Sequence, residues 1–521
     1  MQIDKLLSHH GLTMNPFVAE EARHDPVFDQ LLEDSMPHHP VYAKILGQVE
    51  RPSAAVVFGE KGSGKTAIRL HIGKQVREHN EANPETKALL VPYDDLNPVL
   101  DRILKRQRQS RKGAKADVEE LLKSFRLEDH QDVILSLAMT RLINGLLQEN
   151  YGAEDPTQLP ADAISRLRKL PKRKRVNLLV LAMLMDQPRS GDVVQRFEKL
   201  RKMLRIHRLF PVSWRRNISL ALLLGACSTL GFEWVCQNLL GSPLIPTQYL
   251  IGAGILGVLA LGGVISWISQ CWKIGSLAKK IQHETPAIER STAQFKQMLP
   301  MISPTDLNGQ PWPTQGAEDA KNSRYELTGN LMEIIPALGY SGMMVLVDRV
   351  DEPTAIASNA NRMRSVLWPM LDNKFLQQPG IGIKMLLPIE LRHMLVRESP
   401  AFFQEARLDK QNLIERLTWS GATLFDLCTS RLRACQKEGS DPVYLTDLFE
   451  PDVSREMVVD ALDQMHQPRD AFKFLYCVIQ EHCRMIPEDQ GKPLIARITL
   501  ETVRRDQAQR VQELYRGLSP A

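Results

Sequence analysis

None of the seven cysteines forms a C-x-x-C pair or a zinc-type spacing, so neither a disulfide framework nor a cysteine metal site is indicated. A surplus of one charge is also missing: 66 Lys and Arg face 61 Asp and Glu, and a net +5 over 521 residues is too small for the whole chain to act as a polycation on nucleic acid. Any basic function is therefore local. The stretch Met1 to Thr13 is polar, with no apolar run behind a basic start, so no cleavable secretion signal is expected. No Ser/His/Asp set and no pair of catalytic carboxylates can be assembled from spacing, which argues against protease, nuclease and nucleotide-modifying chemistry. What the chain does have is apolar bulk. With 43% hydrophobic residues it can build sizeable cores, and its length suits about two to four domains. A reduced, cytosol-facing protein is the expectation.

Two apolar stretches break the soluble pattern. Ile218–Cys236 carries Glu233 as its only charge, and Tyr249–Ile268 carries none. Each is close to the roughly 20 residues a helix needs to cross a bilayer core. The connection Gln237–Gln248 is short and uncharged and contains Pro243 and Pro246, so the two read as a hairpin at about 217–236 and 249–270. Lys199, Arg201, Lys202, Arg205, Arg208, Arg215 and Arg216 precede it, and Lys273, Lys279 and Lys280 follow it, which puts both flanks on the cytoplasmic side. A buried hairpin in a soluble core is the competing reading. Gly252-Ala253-Gly254-Ile255-Leu256-Gly257 matches G-x-G-x-x-G but lacks the strand and the later acidic residue of a dinucleotide site. Its glycines, with Gly262 and Gly263, suit close helix packing instead.

The strongest motif lies near the start. Ala54-Ala55-Val56-Val57-Phe58 reads as a buried strand and leads into Gly59-Glu60-Lys61-Gly62-Ser63-Gly64-Lys65-Thr66, a complete G-x-x-x-x-G-K-[ST] loop. Glycines let backbone N–H groups wrap phosphates, Lys65 neutralises β/γ charge, and Thr66 offers a hydroxyl to Mg²⁺. An amphipathic helix with Ala67, Ile68, Ile72 and Val76 follows and adds its positive dipole end. A second strand, Met343–Asp348, ends in an acid placed to face that metal, so Asp348 is the metal-side residue. Glu352 is the expected water-activating carboxylate and Asp351 its competitor, with helix capping as their bland alternative. Ile381–Leu387 suits the next parallel strand, yet it ends in Pro388 with no Ser, Thr or Asn sensor; Arg392 and Arg407 are the nearby cations able to reach a phosphate.

From Trp419 onward the pattern is helical, with Leu424, Leu427, Cys428, Arg431, Leu432 and Cys435 at helical spacing and a second helix over Ala471–Cys483. This reads as a lid over the nucleotide. Arg469, in Gln467-Pro468-Arg469-Asp470, stands at the mouth of that helix like a sensor arginine. A charged helix over Thr499–Arg516 closes the sequence.

The loop Gly59–Thr66, the run Val345-Leu346-Val347-Asp348-Arg349-Val350-Asp351-Glu352-Pro353 and the lid with Pro468-Arg469-Asp470 resemble the additional-strand P-loop ATPases of the STAND and KAP type, relatives of the AAA+ proteins. The hairpin lying between the two nucleotide motifs looks most like KAP NTPases, and Asn15-Pro16-Phe17 looks like the leader found before such cores. The resemblance implies binding and hydrolysis of ATP with Mg²⁺, homo-oligomers, a protein effector, and control of assembly or signalling at the cytoplasmic face of a bacterial membrane, in stress or phage defence. It covers residues 40–100 and 330–485. Arg349 and Glu352 stand where KAP proteins usually carry a further Asp and an Arg, which favours a general STAND-like ATPase.

The fold expected is α/β: a P-loop NTPase parallel sheet over residues 1–100 and 331–415, a helical insertion over 101–330 carrying the hairpin, and a helical lid and tail over 416–521. Within Arg166–Arg216 sixteen Lys and Arg face three Asp and Glu, and aromatics are scarce, so lipid headgroups are preferred to nucleic acid as partner. Trp214, Trp234, Trp267 and Trp272 near the span ends suit interfacial anchoring. Asn177–Met185 is apolar but too short to cross. Two other functions fit the same residues: a nucleotide-gated scaffold with little turnover, and a DNA-stimulated ATPase.

Overall fold

The computed structural model describes residues 2–19, 21–33, 38–110, 117–149, 157, 159–206, 212–240, 247–313, 317–437, 439–486 and 493–515. The chain divides into two compact units, one of Met1–Asn97 with Ser341–Ala521 and one of Pro98–Tyr340.

The first unit is built on a parallel sheet of five strands. β1 (Ala55–Gly59), β2 (Lys87–Tyr93), β3 (Tyr340–Val347), β4 (Ile381–Pro388) and β5 (Asn412–Ile414) lie in the order β2-β3-β4-β1-β5. Every residue of β1 and β4 is buried, as expected of parallel strands covered on both faces. Gly59 pairs with Pro388 and Val347 with Met385, so β4 separates the strand that feeds the glycine loop from the strand that ends before Asp348. Two strands escape the sequence pattern: β5 has three residues, too few for any period, and β2 contains Pro92, which an edge strand tolerates. The helix Lys65–Ala82 covers one face of the sheet, its Ile68, Ile72 and Val76 packing with Val57 and Leu386.

A second core in this unit is helical. Gly421–Ala434, Arg455–Asp463, Pro468–Met485 and Arg497–Tyr515 bury Leu424, Val458, Phe474 and Val511 together. The leader joins this core through Leu6, Leu7, Leu12, Phe17, Val27 and Leu31. The leader packs on the C-terminal helices because its apolar stripe finds its partners there. Arg431 fixes the join. Buried, it donates to Pro16 O at 2.8 and 2.6 Å, pairs with Asp25 at 2.6 Å and lies over the Phe472 ring at 4.4 Å.

The second unit is helical. Lys172–Met185 is buried on all sides from Val176 to Met185, which makes the short apolar run the central core helix of the unit. Buried Arg324 grips Asp132 with two bonds of 3.1 Å and donates to Glu284 O at 2.6 Å. Helices Val212–Leu240 and Thr247–Glu284 pack on each other, and Arg216–Val235 and Ile251–Glu284 are long and apolar enough to cross a membrane. Leu224, Val258 and Ile265 are exposed, unlike residues of a core hairpin. The second helix runs 38 residues, about 57 Å at 1.5 Å per residue, well past the expected end at 270. No proline interrupts it there, and Ala278 and Ile281 on its extension are fully buried. Residues 241–246 of the expected connection and Arg208 lie outside the described residues, as do the side chains of Trp214 and Arg215.

Candidate nucleotide site

The site lies at the C-terminal edge of the parallel strands, where loops and helix N-termini of such sheets converge. β1 ends at Gly59, and the chain then turns through Gly62 and Gly64, whose φ angles of +84° and +90° suit residues without a Cβ. A Cβ on Gly62 would stand 2.8 Å from Cβ of Arg469, and one on Gly59 would stand 2.5 Å from the Ser63 hydroxyl. The loop is thus a tight cradle. The Ser63 hydroxyl is buried without a hydrogen-bond partner among the described residues.

Lys65 and Thr66 open the helix that follows. Lys65 Nζ donates to Gly59 O and Glu60 O, both at 2.8 Å. Burial lowers its pKa, and the carboxylates of Asp348, Asp351 and Glu390 act against that. Thr66 Oγ1 donates to Asp348 Oδ2 at 3.1 Å, which brings residues 282 positions apart into contact. Asp348 is buried, which raises its pKa, and the Arg69 guanidinium does most to hold it down. Arg69 Nε stands 3.4 Å from Asp348 Oδ2, and its other arm binds Asp94 just past the end of β2, which also takes Arg23 of the leader at 3.4 Å.

Around this centre lies a cavity of about 530 Å³, within the range of small-molecule sites. Lys61, Gly62, Gly64, Lys65 and Thr66 line it, with Asp348, Asp351 and Glu352 on the sheet side and Arg469 on the helical side. Leader residues Arg23, His24 and Asp25 form another part of its wall. His38, Tyr42 and His71 complete it as an aromatic cluster with centroids 4.2 to 4.9 Å apart. Burial pushes His71 down to about 4, so it is neutral at physiological pH.

The residues singled out in the sequence are distributed unevenly. Lys65, Thr66, Asp348 and Arg469 meet, Arg469 N donating to Gly62 O at 3.4 Å. The Glu60 side chain is held between Arg416, at 2.5 Å, and Gln467, at 2.7 Å. Asp351 is half-buried in the cavity wall, whereas Glu352 is exposed and ion-paired to Arg349. Arg392 pairs with Glu415 at 2.7 Å and Arg407 lies 3.4 Å from Asp409; neither lines the cavity. Arg69, Asp94 and Trp419 escape the sequence pattern. Trp419 Nε1 donates to Ser63 O at 2.9 Å, and no local pattern near position 419 marks that reach. Arg69 carries one legible signal, since it stands four residues after Lys65 and so on its face of the helix.

The donors present fit a phosphate and a hard divalent cation. Backbone N–H groups, a buried hydroxyl and a lysine suit phosphate oxygens. The Thr66 hydroxyl beside a carboxylate suits Mg²⁺, which keeps its remaining positions for water and phosphate. Among the described residues no cluster of three or more His, Cys, Asp or Glu side chains forms a separate metal site. No family model matches the chain, and no curated protein is significantly similar to it.

Proposed function

We propose that the protein is a membrane-tethered P-loop ATPase that binds and hydrolyses Mg-ATP to control its assembly or a partner at the cytoplasmic face. The observation that carries this reading is the contact between Thr66 and Asp348, which joins the two halves of a nucleotide-metal site across 282 positions. The insertion of β4 between β1 and β3 supports the additional-strand class, and with it the resemblance to STAND and KAP ATPases. Loop N–H groups hold the phosphates, Lys65 exchanges its carbonyl partners for phosphate oxygens, and Thr66 with Asp348 holds the cation. The cation supplies charge neutralisation at the transferring phosphoryl group. Arg469 joins the helical lid to the loop, so lid position follows the state of the nucleotide.

The paired apolar helices support the membrane tether. A DNA-stimulated role is disfavoured because at least seven of the sixteen cations of the basic stretch are held within their own unit. Lys172, Lys174, Arg196 and Lys199 pair with Asp306, Glu333, Asp186 and Glu149, and Arg168, Arg175 and Arg201 donate to backbone carbonyls. One observation favours a scaffold with little turnover as the second reading: Glu352 is tied to Arg349.

Detergent-purified protein tests the proposal through nucleotide binding, followed by Trp419 fluorescence with Trp419→Phe as control, and through phosphate release. Lys65→Ala is expected to lower turnover by at least about 100-fold. Asp348→Asn should still bind nucleotide in EDTA but lose the gain from Mg²⁺. Undiminished turnover in Lys65→Ala would remove the site from the reaction, and tight binding without release in the unmodified chain would favour the scaffold.

A further inference from the structure

We propose that His71, on the helix that follows the glycine loop, hydrogen-bonds the edge of the nucleotide's base, with His38 and Tyr42 holding its ring in place. The proposal rests on the reading of this cavity as a nucleotide site. Gly64, Ala67, Ile68 and His71 all line the cavity, and their spacing of i, i+3, i+4 and i+7 puts them on one face of the helix Lys65–Ala82 and its N-cap. The cavity therefore runs from the loop down that face. His71 stands five residues beyond Thr66, about 7.5 Å further along the axis at 1.5 Å per residue. With the phosphates on the loop, the sugar and base extend toward that end.

The ring is set up for a ligand. His71 is buried, at 8% exposure, yet among the described residues no hydrogen bond reaches either ring nitrogen. Buried polar groups are normally hydrogen-bonded, so an unpartnered imidazole on a cavity wall is one that a ligand can satisfy. Neutral at physiological pH, it offers one donor and one acceptor. Its contacts are aromatic instead. The His38 and Tyr42 rings lie 4.2 and 4.8 Å from it, centroid to centroid, and cross its plane at 78° and 77°. Tyr42 Oη in turn donates to Gln75 Oε1 at 3.3 Å, one turn further along the same helix. Rings crossing it at nearly right angles leave its plane little freedom, so its nitrogens are presented in a fixed direction.

The two ends of this wall differ in chemistry. Lys61 and Lys65 stand at the loop end, where charge on phosphates is met. Ala67 and Ile68, between the loop and His71, are apolar, as suits the faces of a sugar and a base. An uncharged imidazole beside other rings is poorly matched to a phosphate and well matched to a planar heterocycle with donors and acceptors on its edge.

The test compares the unmodified full chain in detergent with His71→Phe and His71→Gln, measuring by calorimetry the affinity for Mg-ATP and for inorganic tripolyphosphate with Mg²⁺. His71→Phe keeps a ring and removes both nitrogens; it is expected to bind ATP at least about tenfold more weakly and tripolyphosphate within about twofold of the unmodified chain. The unchanged tripolyphosphate affinity also shows that the variant is folded. His71→Gln, which restores a donor and an acceptor, should recover part of the ATP affinity. ATP binding by His71→Phe within about twofold of the unmodified chain overturns the proposal and leaves the nucleotide site standing. So does an equal loss of ATP and tripolyphosphate, which would mark a role in the fold of the loop and not in reading the base. An unmodified chain that binds tripolyphosphate but no ATP, or neither, overturns the nucleotide reading, and the role of His71 with it.

Discussion

Lys384 carries a cation into the middle of β4, where it is fully buried and its Nζ finds no hydrogen-bond partner among the described residues. Burial pushes its pKa from 10.5 down to about 8. Between those values the unfolded chain holds a proton that the folded chain has released, so folding gains stability as pH rises from about 8 to 10.5. Below about 8 both states are protonated and the penalty, on the order of 3 kcal/mol, is fully present. Thermal unfolding should therefore show a melting temperature that climbs between pH 8 and pH 10. Lys384→Met should flatten that climb and raise stability at pH 7.5 by about 1 to 3 kcal/mol. An unchanged pH slope in the variant would show that Lys384 is not the group responsible.

The two apolar helices make a finer distinction than their glycine content alone allows. A Cβ on Gly263 would collide with the Ser219 hydroxyl, and one on Gly257 would come within 3.5 Å of Ala226, so these two glycines set the approach of the helices. A Cβ on Gly252, Gly254 or Gly262 would meet nothing within 4 Å, and the packing role expected of these three is not met within the hairpin. Gly263→Leu should destabilise the pair by about 1 to 3 kcal/mol through overpacking, while Gly252→Leu, which adds helix propensity, should not. Thermal unfolding in detergent distinguishes the two. The length of the second helix matters as well. About 20 residues suffice to cross, and the remainder of the 38-residue helix carries Lys273, Lys279 and Lys280 and ends where Arg324 binds Glu284 O. Arg216 over the Trp267 ring, at 5.8 Å, fits an interfacial belt near the start of that extension.

Across the full chain, Pro98–Tyr340 enters between β2 and β3, which are sheet neighbours, so a unit of this size is accommodated without breaking the order of the strands. If the helices Arg216–Val235 and Ile251–Glu284 cross a bilayer, alkaline carbonate should leave the protein in the membrane pellet, and protease added from the cytoplasmic side should cut both soluble flanks. Release into the supernatant would return the hairpin to the soluble unit.

The glycine-rich loop Gly59–Thr66, the strand before Asp348, the paired apolar helices and the helical C-terminal part were legible because each is specified locally, by glycine positions, by an apolar run ending in an acid, or by hydrophobic period. Contacts between distant segments were not. Arg431 on the leader, Trp419 on the loop and Arg69 on Asp348 all depend on which elements become neighbours. Strand order is decided by the packing of many side chains at once, and a local pattern carries no record of it. The same holds for partner choice: Glu352 is the expected base from its spacing after Asp348, and only the folded chain shows it ion-paired to Arg349, whose φ is +58°. Sequence determined which side chains and local elements are present; tertiary packing decided which of them are neighbours, because contacts across hundreds of positions depend on the packing of the whole unit.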